Sequence, residues 1–233
     1  MSADKTTPSL SKALLRGILL GPPGAGKGTQ AERIAKEFGV AHLATGDLLR
    51  AEVAKGTELG KKAKGFMDAG ELVPDQLVVD MVKTRLSEEV RANGYLLDGF
   101  PRTLEQAEML ELMLDRDELP NAVILLDVSD DEVISRLGGR ETCSNTACGR
   151  VYHPISNPPK TEGVCDVCGS ALVVRNDDLP DAIRERLVQY REKTRPLVEH
   201  YRRQGILLEI DGSGTIEQVT ERIFERLRET LNR

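Results

Sequence analysis

The sequence predicts an α/β fold, a parallel β-sheet covered by helices on both faces in three layers. Three observations predict it. Short apolar runs recur at residues 13–20, 42–44, 95–97, 123–128 and 206–210. Their nearly unbroken apolar character is that of strands buried on both faces. Helical stretches separate the runs, which suits parallel strands joined by crossovers. The first run empties into a glycine-rich turn that opens a helix, a place where ligands bind in such sheets.

In chain order, residues 1–12 are polar and lack the apolar core of an export signal, so they read as a loose tail. Residues 13–20 (ALLRGILL) form the first strand. A helical pattern follows over 29–38, and a short strand over 42–44. Residues 46–91 read as helices punctuated by Gly56, Gly70 and Pro74. The run at 95–97 ends on Asp98, and a helix is predicted over 104–114. The runs at 123–128 and 206–210 complete the sheet, the latter ending on Asp211. Between Gly138 and Asp178 the texture changes to clustered cysteine, proline and glycine, the mark of an inserted module. From Pro180 onward the chain returns to helix, bearing Arg184, Arg186, Arg191 and Arg195.

Composition narrows the function classes. Of 233 residues, 39% are hydrophobic and 30% charged, so the chain can bury a core. Aromatics are 3% and tryptophan is absent, so aliphatic side chains carry the packing. The net charge of −6 argues against a general nucleic-acid or membrane-surface binder. An anionic substrate must then meet a local cluster of cations. No apolar run approaches the ~20 residues that span a bilayer. A cytoplasmic setting is expected.

Gly21-x4-Gly26-Lys27 follows a strand and opens a helix, the setting of a phosphate-binding loop. Backbone N–H groups at a helix N-terminus cradle phosphate oxygens, and the helix dipole adds to the attraction. Lys27 would reach the β- and γ-phosphates. The general motif has Ser or Thr after the lysine; here Gly28 intervenes and Thr29 follows. This loop specifies a nucleotide and not a reaction.

The longer string GPPGAGKGTQ resembles the adenylate kinase family, in which GKGT is the normal form. Four further stretches match in order: TGDLLR at 45–50, ELVPD at 71–75, DGFPRT at 98–103 and RNDD at 175–178. The resemblance implies a core of residues 13–43, 74–138 and 179–233. It also implies a helical AMP-binding insertion at 44–73 and a lid at 139–178 that closes on ATP. It assigns ATP to Gly24, Ala25, Gly26, Lys27, Gly28, Thr29, Arg140, Val151, Tyr152 and Gly214. AMP falls to Thr45, Arg50, Glu71, Leu72, Val73, Gly99, Phe100, Pro101, Arg102, Gln106, Arg175 and Arg186. Lys27, Arg102, Arg140, Arg175 and Arg186 would surround the transferring phosphoryl group. Mg²⁺ is implied with ATP, and Asp98 would bind one of its waters, since this ion dehydrates reluctantly. A monomer using ATP, AMP and ADP is expected.

Phosphoryl transfer asks for alignment and charge cancellation rather than covalent chemistry. Arginine suits it through a planar fork that stays charged. Arg184 and Arg191 read as solvated helix positions. Asp177 and Asp178 either cap the next helix or pair with cations across a lid hinge. Gly70, Gly138 and Gly139 are candidate hinges. Many relatives carry a second arginine after the one matching Arg140; Glu141 stands here instead, which lowers the local positive charge.

Cys143-x4-Cys148 and Cys165-x2-Cys168 are spaced as two knuckles of a zinc ribbon. Four thiolates suit a closed structural Zn²⁺ site, and iron or cobalt also suit four sulfurs. The first spacing is wider than is common in metal-bearing adenylate kinase lids, which makes His153 an alternative ligand. Four unligated thiols or two disulfides are the other readings. Competing functions are a UMP or CMP kinase, a nucleotide-switched zinc-ribbon protein that binds nucleic acid, and an inactive scaffold.

Overall fold

The computed structural model describes residues 13–232. The predicted N-terminal tail at 1–12 lies outside the described residues. Five parallel strands form the central sheet: β1 (Arg16–Leu20), β2 (Ala41–Ala44), β3 (Tyr95–Asp98), β4 (Ala122–Asp127) and β8 (Leu207–Asp211), in the order β2-β3-β1-β4-β8. The register sets Leu19 beside Asp98, and Ala44 beside Asp98 on the other side. Gly21, Thr45 and Asp98 therefore share the carboxyl edge. That edge is where α/β sheets bind ligands.

Alternate strand residues enter opposite layers, as a pleated chain requires. Ile18, Leu20, Leu97, Val123 and Leu125 join one apolar cluster. It is closed by α2 (Thr45–Lys55), α3 (Glu58–Ala69), α4 (Asp75–Arg85), α6 (Leu104–Met113) and α9 (Pro196–Arg203). Leu19, Leu96, Ile124 and Leu126 face the other way, toward α1 (Lys27–Phe38) and α10 (Ile216–Leu231). This is the predicted three-layer sheet. Aliphatic packing dominates both faces, as expected from so few aromatic residues.

The short helix α5 (Glu88–Asn93) leads into β3, and α7 (Asp130–Gly138) follows β4. Helix α7 has no separate mark in the sequence, because its acidic first turn resembles a loop. Ser129 caps it, and Val133 and Leu137 bury against Ile183 and Leu187 of α8 (Pro180–Gln189). Helix α1 begins two residues earlier than the pattern suggested, because Gly26 supplies the left-handed N-terminal turn at φ 90°. A π-helical stretch, Tyr190–Thr194, joins α8 to α9.

The inserted module is a separate three-stranded antiparallel sheet: β5 (Glu141–Cys143), β6 (Val151–Tyr152) and β7 (Leu172–Val173), ordered β6-β5-β7. Its apolar cluster is small, with Cys143, Tyr152 and Cys165 buried and Cys148 and Leu172 partly so. Among the described residues no helix is long and apolar enough to cross a membrane.

Candidate functional site

A cleft of about 890 Å³ opens at the carboxyl edge of the central sheet, under the cysteine module. Its floor is the glycine loop. Gly24 has φ +82°, and a Cβ there would stand 2.8 Å from Leu137 and 3.1 Å from the Val133 carbonyl. The loop thus lies close against α7, and only a residue without a side chain fits. A Cβ on Gly28 would stand 3.7 Å from Asp98 Oδ2, which puts the head of α1 in van der Waals reach of that carboxylate.

Lys27 sits at the head of α1. Its ammonium donates to the Gly21 and Pro22 carbonyls, both at 2.7 Å. Burial pulls its pKa down to about 7, against Asp98; Arg102, Arg186 and Arg140 push further down. Burial pushes the Asp98 carboxyl up. His42, 3.5 Å from Oδ2, together with Lys27 and Arg102, more than offsets this, and the group stays below the usual carboxylate range.

The predicted arginines converge on the same cleft. Lys27, Arg50, Arg102, Arg140, Arg175 and Arg186 all line it. Arg102 donates through Nε to the Gly99 carbonyl at 2.9 Å. Burial, then Arg186, lowers its pKa to about 10. Arg175 is lowered to about 10 by burial and by Arg50 and Arg140, and its Nε is buried without a partner among the described residues. A buried, unpaired guanidinium donor is costly unless an anion arrives to accept from it. Arg50 donates to Asp47 at 2.6 Å.

Arg140 and Arg186 grip one carboxylate. Arg140 donates through Nε to Asp178 Oδ2 at 2.7 Å and through Nη2 to Oδ1. Arg186 donates to the same Oδ1 at 2.9 Å and lies 3.1 Å from Asp177 Oδ2. The Asp178 side chain is fully buried. Of the two readings of this acidic pair, the ion pair is the one found, since neither side chain caps α8.

Other predicted residues fall into two groups. Thr45 donates to the Asp98 and Gly99 carbonyls at 3.2 and 2.8 Å, tying α2 to the DGFPR loop. Glu71, Leu72, Val73, Gly99, Pro101, Gln106, Val151 and Gly214 line the cleft, as do Ala25, Gly26 and Thr29. Phe100 is instead fully buried in the sheet core, so only its backbone belongs to the loop. Tyr152 lines the cleft, but its hydroxyl points into the module, where it accepts from the Asp166 N–H at 2.8 Å. Asp211 turns away: it accepts from the Ser213 N–H at 2.9 Å and faces Arg222. Glu141 is not among the lining residues. Arg184 and Arg191 pair with Asp181 and Asp130 at the exposed surface, as their helical setting suggested.

Sequence reasoning missed Arg136, Thr194, His42 and Asp75. Arg136 bridges the Ala25 carbonyl at 3.3 Å and the Gly212 carbonyl at 2.9 Å, bracing the glycine loop against the loop of Gly214. In sequence it reads as half of an ordinary Glu132–Arg136 surface pair at helical spacing. Thr194, in the π-helical stretch, donates to the Arg102 carbonyl at 2.9 Å.

The four cysteine sulfurs lie within 4.8 Å of one another. Cys143 and Cys168 are 3.4 Å apart, and Cys148 and Cys165 3.7 Å. Disulfide sulfurs would be about 2.05 Å apart, and all four are free thiols here. Four sulfurs bound at ~2.3 Å around one tetrahedral ion stand roughly 3.8 Å apart, so this donor set fits a metal. Gly149 and Gly169, at φ +58° and +73°, turn the two knuckles. His153 is outside the cluster: its Nδ1 accepts from the Ile155 and Ser156 N–H groups, and its Nε2 faces the Ser135 carbonyl. The wider first spacing is absorbed by a turn in which the Asn145 carbonyl accepts from both Cys148 and Gly149.

A glycine cradle, a buried lysine and a ring of arginines meet in one cleft, an arrangement with the charge to receive a polyphosphate. Residues 19–206 match the family model described as adenylate kinase. The chain is 50% identical over 216 residues to an adenylate kinase of Methanococcoides burtonii, covering 92% of this chain and 97% of that one. It is 50% identical over 215 residues to an adenylate kinase of Archaeoglobus fulgidus, covering 91% and 98%. It is 47% identical over 215 residues to that of Streptomyces griseus, covering 92% and 97%. With a matching family model over most of its length and a cleft built of the expected cations, the chain belongs to the adenylate kinase family.

Proposed function

We propose that the chain catalyses reversible, Mg²⁺-dependent phosphoryl transfer from ATP to AMP, giving two ADP. The observation that carries this reading is the meeting of Lys27 with five arginines over one glycine loop, in a chain of net charge −6. Two facing polyphosphates repel each other, and only such a local cluster cancels the repulsion. The loop from Gly24 to Thr29 takes the ATP phosphates, with Val151, Tyr152 and Gly214 near the base. Thr45, Arg50, Gln106 and the loop from Gly99 to Arg102 take AMP. Arg102, Arg140, Arg175 and Arg186 surround the group in flight.

Transfer is direct and in line. The accepting oxygen belongs to an AMP phosphate that is already an anion, so no general base is required. Mg²⁺ brought in with ATP would supply positive charge against the phosphate oxygens. Asp98, held anionic beside the loop, suits one of the ion's waters. Arg140 and Arg186 share Asp178 while they wait, so their forks stay aligned for a phosphate.

Residues 139–178 act as a lid and 44–73 as an AMP-binding insertion, both closing to exclude water, a competing acceptor. Gly70, Gly138 and Gly139 are the hinges. A structural Zn²⁺ held by Cys143, Cys148, Cys165 and Cys168 fixes the lid's shape and takes no part in the transfer. The chain works as a cytoplasmic monomer.

A coupled assay of ADP formed from ATP plus AMP, run beside metal analysis, tests this. ADP production and about one bound metal per chain are expected. A faster rate with CMP or UMP at equal concentration would overturn the AMP assignment.

A further inference from the structure

Thr103-x-x-Gln106 at the start of α6 has the spelling of a capping box, in which the two residues satisfy each other's backbone N–H. The same spelling at Thr215-x-x-Gln218 of α10 closes fully: Thr215 Oγ1 accepts from the Gln218 N–H at 3.2 Å, and Gln218 Oε1 from the Thr215 N–H at 2.9 Å. In α6 only half the box forms. Thr103 Oγ1 accepts from the Gln106 N–H at 3.1 Å, but the Gln106 amide is drawn elsewhere. Its Oε1 accepts from the Arg102 N–H at 2.7 Å, and its Nε2 donates to Asp75 Oδ1 at 2.7 Å. The second oxygen of Asp75 accepts from the Thr103 hydroxyl at 3.0 Å. Gln106 is 2% exposed and lines the cleft.

These partners admit one amide orientation. A backbone N–H only donates and a carboxylate only accepts. Turning the amide over would set Nε2 against the Arg102 N–H and Oε1 against the carboxylate. Both contacts are repulsive, and both would leave buried polar atoms unpaired. Asp75 cannot adapt, because both its oxygens accept. The amide keeps one N–H and one lone pair for a ligand.

We infer that Asp75 is a specificity-determining positioning residue, which locks the Gln106 amide so that the acceptor site reads a 6-aminopurine and rejects a 6-oxopurine. This rests on the assignment of AMP to that site. The 6-aminopurine edge donates from its amino group and accepts at N1. A 6-oxopurine accepts at O6 and donates from N1, which is the reverse. A free amide would turn over and serve either base; a locked one serves the first. Sites that leave polar groups unpaired by the wrong substrate discriminate by as much as about 10⁴–10⁵.

The test compares kcat/KM for AMP and IMP, whose bases differ only in this edge pattern. Wild-type protein is expected to prefer AMP strongly; equal use of IMP overturns the lock. In Asp75→Asn the new amide can itself turn, offering Nδ2 to Gln106 while Oδ1 keeps the Thr103 hydroxyl, so of the two contacts that oppose the turned Gln106 amide only the one with the Arg102 N–H remains. The AMP-to-IMP ratio should then fall at least about tenfold, the scale of one hydrogen bond, through KM for the monophosphates, with KM for ATP unmoved. Asp75→Ser, whose hydroxyl donates or accepts, should show the same loss if the first variant does not fold. A wild-type ratio in a folded variant, with both rates reduced alike, makes Asp75 merely structural and sinks the inference. Absence of ADP from ATP plus AMP, or preference for a pyrimidine nucleotide, defeats the underlying assignment instead.

Discussion

The cleft and the cysteine module are held together by opposite means. The cleft's cations stand on helices and loops at the edge of a sheet whose two faces are packed with aliphatic side chains. Its scaffold would stand without the site, and the site's buried charges weaken the scaffold. The module has almost no apolar material, its cluster amounting to three buried residues, two of them cysteines. There the sulfurs are the core. In the first region, buried charge opposes stability; in the second, if the proposed ion binds the four sulfurs, its binding and the folding of the module are the same event.

The largest effect should follow metal removal. Structural zinc contributes about 10–16 kcal/mol to small peptides that fold around it. Chelation, or Cys165→Ser, should abolish hydrogen-exchange protection over Glu141–Cys143 and Leu172–Val173. Protection in β1 and β4 should persist. Loss of protection in the central sheet as well would erase the contrast between the regions.

Next come substitutions in the cleft. Arg102→Met should lower kcat by about 10³–10⁵, the range for an arginine at a transferring phosphate. The ligand-free protein should be no less thermostable, because a buried cation repelled by Arg186 has gone. A marked fall in melting temperature would show the cation to be part of the scaffold.

Asp178 sharpens the comparison, since it is the one buried anion gripped by both Arg140 and Arg186. Asp178→Ala should cost about 3–5 kcal/mol, the usual penalty for removing one partner of a buried ion pair. Urea unfolding of the ligand-free protein measures it. Saturating ATP with AMP should recover part of the loss, as phosphates replace the carboxylate.

The smallest effect is on protonation. Lys27, with a pKa of about 7 in the folded chain, lies far below its ordinary value. Its burial penalty is fully present below pH 7 and is relieved as pH rises through that value, so this group makes ligand-free stability climb between about pH 7 and 10.4. Bound phosphates raise the pKa again. ATP binding at pH 8 should therefore take up close to one proton, seen by calorimetry in buffers of different ionisation enthalpy. Asp98, Arg102, Arg140 and Arg186 face the same ammonium. Lys27→Met should remove the uptake; its persistence in that variant would assign the proton elsewhere.

What the sequence determined by itself is local. The glycine loop between strand and helix is spelled in consecutive residues, so the floor of the cleft was legible without knowing any distant partner. The strand runs were legible because burial on both faces leaves nearly continuous apolar stretches, and the cysteine knuckles because two short spacings suffice. Helix α7 was not, since its buried face is only Val133 and Leu137 behind three acidic residues. Partnership was decided by the tertiary structure alone. Asp178 meets Arg140 across 38 positions, Asp75 meets Gln106 across 31, and Thr194 meets Arg102 across 92. Spacing carries no signal at such separations. A carboxylate that caps a helix and one that clamps two arginines are the same letter, and only the packed chain, by taking water away, fixes which partner each buried charge must have.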